Sequence, residues 1–341
     1  MTTEKMMDYL YNLPAQFEES LEFDYSVLEG LKKDYHNILV SGLGGSAIGG
    51  DILKSYALKR AGIPVLVNRD YDIPAFVNEK TLFFAVSYSG NTEETLSAYQ
   101  QARKQGADIV CLSSGGKLLH MAAKDAYPLI KVPGGLAPRA ATAYLFAPLL
   151  MALERIGLLQ GARKELQETI QVLETMRESL VPEAALPDNQ AKTIALKLKG
   201  SIPIIWGTAG ISETAALRWK AQINENAKSP AYYNAFPELN HNELVGFEAP
   251  EESLSSLSCI ILRDKFDNER VRKRMEVTKG LIKDKVNDII EVYSQGESFL
   301  ARFYSLVYTG DYASVYLALE YGINPTPVRV IDYLKSELAK Q

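Results

Sequence analysis

The chain of 341 residues is about 2.3 times the roughly 150 residues that one domain usually takes, so two domains and a sizeable core are expected. Its 42 acidic against 37 basic residues leave a net charge of −5, which excludes a broad basic face for nucleic acid or anionic lipid; any anion has to be held locally. Two cysteines and three histidines exclude a disulfide framework, an all-cysteine zinc site and a histidine-rich metal cage. The N-terminus has no basic segment leading into an apolar one, and no window offers about 18 uninterrupted apolar residues. A cytoplasmic protein without export signal or membrane anchor is expected.

Residues 1–31 read as an acidic, partly amphipathic helix whose Leu10, Leu13, Phe17, Leu21 and Phe23 form a stripe that another element must cover. From His36 onward, short apolar runs alternate with helix-length segments: NILVSGLGG, a helix over 46–60, PVLVNRD, TLFFAVSYSG, a helix over 91–105 and DIVCLSS. The apolar ATAYLFAPLLMALERIGLL closes this unit as a helix. Such alternation predicts a parallel sheet with helices on both faces. A polar helix-prone stretch over 161–180, broken by the VPEAALPD loop, marks the linker. The second half then repeats the plan. SIPIIWGTAG, LSCIILRD and DIIEVYS are its strands, and ISETAALRWKAQINENA and DNERVRKRMEVTKGLIKD its helices. The loops differ in chemistry: the first half has Ser87, Ser89, Asn91, Thr92 and Thr95 after its strand, the second Arg263, Asp264, Lys265, Asp267 and Asn268. Only the first suits an anion.

SYSGNTEET, residues 87–95, joins a strand end to a helix start, where open α/β sheets bind ligands. Gly90 lets the backbone approach a ligand, the helix start offers free amides and a positive dipole, and several hydroxyls can donate to a phosphate. The competing reading is a capping box, with Thr92 or Asn91 as cap and Glu94 or Thr95 completing the turn. SGLGGSAIGGD, residues 41–51, contains G-x-G-x-x-A at Gly42, Gly44 and Ala47, and Asp70 ends the next strand where a ribose-binding acid could lie. Gly45, Ser46, Gly49 and Gly50 carry the run into the helix, which equally fits a backbone packed tightly beside a small substrate. Arg139 follows Pro138, which stiffens its approach, and an always-charged guanidinium suits a developing oxyanion; capping or pairing with a surface acid is the alternative. Cys111 and Cys259 lie in predicted strands and read as buried thiols.

Together with PRAAT (138–142), NEN (224–226) and PELNHNELVGF (237–247), these segments resemble the bifunctional phosphoglucose/phosphomannose isomerase family, built from two sugar-isomerase (SIS) domains. The resemblance implies an α/β fold of two topologically equivalent SIS domains, each a parallel sheet flanked by helices, plus N-terminal and C-terminal helices. Its expected boundaries are a helical extension over 1–34, SIS domain 1 with the phosphate loop over 35–160, a helical linker over 161–190, SIS domain 2 with the base over 191–325, and a C-terminal helix over 326–341. It implies a metal-independent isomerase that interconverts glucose 6-phosphate or mannose 6-phosphate with fructose 6-phosphate through an enediol or enediolate, with a place in glycolysis and gluconeogenesis.

That chemistry needs a base, a ring-opening acid/base and a cation near the oxyanion. Glu225 resembles the family's proton-shuttling glutamate, and His241 its ring-opening histidine, whose ordinary pKa suits proton exchange near neutrality. In the family this histidine comes from the neighbouring subunit, so a homodimer with His241 contributed across the interface is implied. Lys335, in VIDYLKSEL, resembles a C-terminal ring-opening lysine, and Thr326 a threonine near C1 and C2 associated with accepting the mannose epimer. Ser46, Ser87, Ser89 and Thr92 would hold the phosphate, with Gly45 beside the substrate and Arg139 at the oxyanion. His36 and His120 have no comparable setting. No cofactor and no metal are implied, since HxH, HExxH and CxxC are absent; the expected partner is a small phosphosugar, with no nucleic acid and no membrane. A non-catalytic phosphosugar sensor on the same fold is the alternative.

Overall fold

In the computed structural model, which describes residues 3–31, 34–338 and 340, the apolar runs become parallel strands. Residues 1–2, 32–33, 339 and 341, at the edges of the expected N-terminal extension and C-terminal helix, lie outside the described residues. The first sheet contains β1 (Asn37–Ser41), β2 (Val65–Asn68), β3 (Thr81–Val86), β4 (Asp108–Ser113) and β5 (Leu129–Lys131) in the order β2-β1-β3-β4-β5, every pair parallel. The second contains β6 (Ile202–Thr208), β7 (Tyr232–Phe236), β8 (Leu257–Arg263) and β9 (Asp288–Tyr293) in the order β7-β6-β8-β9, again all parallel. The repeat expected from the sequence is therefore present, β6, β7, β8 and β9 taking the places of β1, β2, β3 and β4. All six residues of β3 are buried, as a central strand covered on both faces requires, which is why TLFFAV reads as an unbroken apolar run.

The chain divides into two compact units, one of Asn12–Glu174 and Gln295–Tyr304, the other of Met1–Tyr11, Thr175–Ser294 and Ser305–Gln341. In the first, Leu39, Phe83, Tyr99, Ile109 and Leu118 form a core on one face of the sheet. The helix Gly45–Ala57 packs against the helix Thr142–Arg155 so closely that a Cβ on Gly49 would stand 2.3 Å from the Leu145 carbonyl oxygen. Of the N-terminal stripe, Leu13, Phe17 and Leu21 are buried and Phe23 half-buried in this unit, and Leu10, which belongs to the other, is buried as well. The stripe runs over two helices instead of one, Thr3–Tyr11 and Leu13–Leu21. Pro14 explains the break: its missing N–H is tolerated in a first helical turn but not in a helix interior.

In the second unit, Trp206, Phe236, Phe247, Cys259, Ile261 and Met275 form the core. The helix Phe299–Glu320, which periodicity does not announce because it is apolar on most sides, supplies this unit's central support from Ser305 onward. Its Leu306 carbonyl accepts from the Trp219 indole at 2.8 Å. Its Asp311 receives Arg218 in two parallel bonds, Nε to Oδ1 at 3.1 Å and Nη2 to Oδ2 at 2.6 Å, with both side chains buried. Cys111 and Cys259 are free and buried, and burial pushes both thiols up to about 12. Among the described residues no helix is long and apolar enough to cross a membrane.

Removing one member of the buried pair leaves the other charge uncompensated. Asp311→Asn should lower stability by about 3–5 kcal/mol in denaturant unfolding, and the double change Arg218→Met, Asp311→Leu should cost less than Asp311→Asn alone.

Candidate functional site

The winding of the first sheet reverses between β1 and β3, so the loops that leave these two strands diverge and open a crevice at their C-terminal ends. The loop after β1 enters the helix Gly45–Ala57, and the loop after β3 enters the helix Glu93–Lys104. Thr92 occupies the capping position of the second helix, yet its side chain makes no cap bond; its hydroxyl lies 2.9 Å from Ser87 Oγ instead. The capping-box alternative is thus not realised, and this helix start lacks a side-chain cap. Ser87 is fully buried, while Ser89 is exposed and its Oγ receives the Asn91 amide at 3.3 Å. Gly90, at φ 70°, presses on the loop after β4: a Cβ there would stand 1.7 Å from the Gly115 carbonyl oxygen. Asn91 Oδ1 accepts the Lys117 amide at 3.0 Å and closes the same contact from the other side.

Ser46 Oγ accepts the Tyr88 amide at 3.3 Å, tying the two crevice loops together. Gly45 is pressed against the Pro138–Ala140 turn, where its Cβ would lie 2.7 Å from the Pro138 carbonyl oxygen. Gly45 and Gly49 are thus taken up by protein-to-protein packing, whereas a Cβ on Gly44, at φ 53°, would meet nothing within 4 Å. The Asp70 carboxylate turns back onto the Tyr71 amide at 2.6 Å. The same approach brings the Arg139 backbone beside Gly45. Arg139 is buried, with 4% of its surface exposed. Tyr88, not singled out from the sequence, holds this wall in place: its hydroxyl donates to the Pro133 carbonyl at 2.9 Å and accepts the Leu136 amide at 3.2 Å. Gly45, Ser46, Ser87, Ser89, Thr92 and Arg139 therefore share one end of one sheet.

In the second sheet the loop after β8, the counterpart of the loop after β3, is held by its own residues. Asp267 accepts the Asp264 amide at 2.8 Å, Asp264 accepts the Phe266 amide at 2.8 Å and the Ser294 hydroxyl at 3.0 Å, and Asn268 caps the helix Glu269–Ile282 by accepting the Arg270 amide. Burial raises the Asp267 carboxyl above its ordinary range. Arg263 is engaged by Glu276 and Glu291. No uncapped start is left at this helix.

What this unit presents is a widened helical turn. The helix Glu213–Gln222 runs into a π-helical turn, Ile223–Ala227, which carries Glu225 half-buried. Such turns cost hydrogen-bond geometry and occur mostly where function needs them. Asn226 anchors the turn by donating to Ser314 Oγ at 2.9 Å, and Asn224 by donating to the Ser229 carbonyl at 2.8 Å. Lys228, at φ 56°, donates to the carbonyls of Glu225 and Pro325, which brings the loop of Thr326 to the turn of Glu225. His241 stands exposed on a short turn, Glu238–His241, that follows the edge strand β7. Glu243 holds the next turn by accepting the Trp206 indole at 2.7 Å and the Asn234 amide. Lys335 is exposed on the helix Arg329–Leu338, which buries none of its residues. His36 and His120 are exposed. Among the described residues no three of His, Cys, Asp or Glu come together as a metal-ligand set.

A model of the bacterial phospho-glucose isomerase C-terminal SIS domain matches residues 187–338, and a SIS domain model matches residues 31–120. A bifunctional phosphoglucose/phosphomannose isomerase of Caldicellulosiruptor bescii is 48% identical over 98% of this chain and 99% of its own. One of Aquifex aeolicus is 35% identical over 98% and 99%. The chain belongs to the bifunctional phosphoglucose/phosphomannose isomerase family. Among solved structures, the C-terminal domain of glucosamine-fructose-6-phosphate aminotransferase from Francisella tularensis superposes with a TM-score of 0.69 over 95% of this chain and 98% of that one; at 16% identity this concerns the fold alone.

Within this bifunctional phosphoglucose/phosphomannose isomerase family member, Tyr88 and Lys228 shape the candidate site without having been singled out from the sequence, and Asn91, read there as a loop polar group or cap, instead closes the contact with the loop after β4. Only the SSGG that follows β4 hints at the close approach that Gly90 needs. A methyl at Gly90 meets both a left-handed backbone and a carbonyl, so Gly90→Ala should destabilise the fold by about 2 kcal/mol or more, measured by denaturant unfolding.

Proposed function

We propose that this chain is a metal-independent aldose–ketose isomerase that interconverts glucose 6-phosphate or mannose 6-phosphate with fructose 6-phosphate. Near-full-length identity of 48% to a protein of that name carries the reading, and a non-catalytic sensor is correspondingly disfavoured. The hydroxyls of Ser46, Ser87, Ser89 and Thr92, with the uncapped helix start, hold the phosphate beside Gly45, which lets a net charge of −5 coexist with an anionic substrate. In ring opening a proton leaves the anomeric hydroxyl, the C1–O5 bond breaks as C1 becomes a carbonyl, and O5 takes up a proton; His241 and Lys335 are the groups for this exchange. Glu225 then removes the C2 proton, electron density moves to the C1 oxygen, and Arg139 stabilises the enediolate. Glu225 returns the proton to C1 while the O2 hydroxyl proton passes to the O1 oxyanion, leaving a C1 hydroxyl and the C2 ketone. Because C2 is planar in the enediolate, both epimers reach the same intermediate, and Thr326, whose loop is tied to the turn of Glu225, is the residue assigned beside C1 and C2.

The exposed His241 beside an edge strand supports its use by a second copy, so the working form is proposed to be a cytoplasmic homodimer. In a coupled assay, wild type should form fructose 6-phosphate from both sugars with no loss in EDTA. Glu225→Gln should lower kcat by about 10²–10⁴-fold for both while keeping phosphate binding; turnover near wild type would remove Glu225 from the base role. A mixture of His241→Ala and Glu225→Gln proteins should regain activity once subunits exchange. Absence of recovery despite demonstrated exchange would rule out the shared site.

A further inference from the structure

Lys228 follows the π-helical turn directly and takes a left-handed backbone conformation, φ 56°, that glycine or asparagine adopts more readily than lysine. Ala126 is the only other non-glycine residue of positive φ among the described residues. The conformation turns the side chain back over the turn it has just left. Its ammonium donates to the Glu225 carbonyl and, at 3.1 Å, to the Pro325 carbonyl, 97 positions along the chain. The second of these carbonyls precedes Thr326, whose amide is received by Asn324 Oδ1 at 3.0 Å. The turn is held on its other side by the bond from Asn226 to Ser314. An ammonium has three donors and no acceptor, so it can serve two carbonyls at once and hold them about 5–6 Å apart, whereas an apolar side chain of similar length supplies neither bond.

We propose that Lys228 is a positioning residue that sets the spacing between the base Glu225 and the loop carrying Thr326, and thereby the relative rates at which the two C2 epimers react. The inference rests on the roles given above to Glu225 and Thr326. Glucose and mannose 6-phosphates differ only in which face of C2 carries the hydrogen, so a shift of the 324–327 loop relative to the base falls unequally on the two. Misplacement by about 1 Å can cost as much as 10²-fold in rate. A backbone strained to aim one side chain is expected where the strain serves such a purpose.

The test compares Lys228→Met, Lys228→Gly and Lys228→Arg with wild type and with Glu225→Gln, in steady-state assays on both sugars and in thermal melts. Lys228→Met and Lys228→Gly should lose about tenfold in kcat on at least one sugar with KM changed less than about twofold, and should shift the glucose-to-mannose ratio of kcat/KM by about threefold or more. Lys228→Arg, which keeps the donors, should recover most of both. Melting temperatures should stay within about 4 °C of wild type, Lys228→Gly because it also relieves the positive φ. Wild-type kcat and an unchanged ratio in the Met and Gly variants, with Glu225→Gln inactive, would overturn the inference and leave the isomerase reading standing. An equal loss on both sugars tracking a fall in melting temperature, or a loss that arginine does not repair, would overturn it as well. An active Glu225→Gln would remove the base assignment, and the inference with it.

Discussion

A parallel sheet built by winding in both directions must reverse somewhere, and at the reversal two neighbouring strands send their loops apart. The crevice that results exposes helix starts, whose first amides have no partner within the helix. The hydroxyl-rich part of the candidate site in the first unit lies where that deficit is met. After β3 the helix begins at an uncapped Thr92 that turns its hydroxyl to Ser87, and hydroxyl-bearing side chains stand around the opening. After β8, the equivalent strand of the second unit, Asn268 caps the helix and Asp264 and Asp267 take up the loop amides. The same architecture thus leaves one helix start open to an anion and fills the other with carboxylates.

The second unit is organised by a different requirement, that a charged pair taken out of water be matched. Arg218 and Asp311 join the helix carrying the π-helical turn to the helix Phe299–Glu320 through two bonds in a buried setting. Burial raises the Asp311 carboxyl, and the guanidinium opposes that rise. Three residues further along the long helix, the Ser314 hydroxyl accepts from Asn226 and donates to the Asp311 backbone carbonyl at 2.7 Å. The polar network that fixes the two helices therefore also fixes the turn of Glu225. Stability and the placement of a candidate base are supplied by the same few atoms.

Much of the fold was legible in the sequence. The NILVS, TLFFAV, DIVCLS, IPIIWGT, LSCIILR and DIIEVY runs are strands, and their duplication indicated two parallel sheets on one plan, while the strand orders came from the structure. Two elements were not legible for physical reasons. The edge strand YYNAF is short and half-exposed, and its tyrosines resemble a loop as much as a strand. The helix Phe299–Glu320 is apolar around most of its circumference, which erases the 3.6-residue rhythm by which surface helices are recognised. The N-terminal stripe was legible as a buried face but not as two helices, since the weight of Pro14 depends on whether it falls in a first turn or an interior.

At the candidate site the residue types were evident and their pairings were not. Chain order alone determined the element sequence, the hydroxyl-rich loop, the NEN and LNHNEL segments and the scarcity of histidine, because periodicity and donor inventory are local properties. Tertiary structure alone decided that Thr92 turns to Ser87 in place of capping its helix, that Gly45 and Gly49 accommodate neighbouring backbone, that Arg139 is buried, and that Lys228 spans to Pro325. Whether a polar group stays open to a ligand depends on which other groups the fold brings within about 3 Å of it, and those partners come from anywhere along the chain.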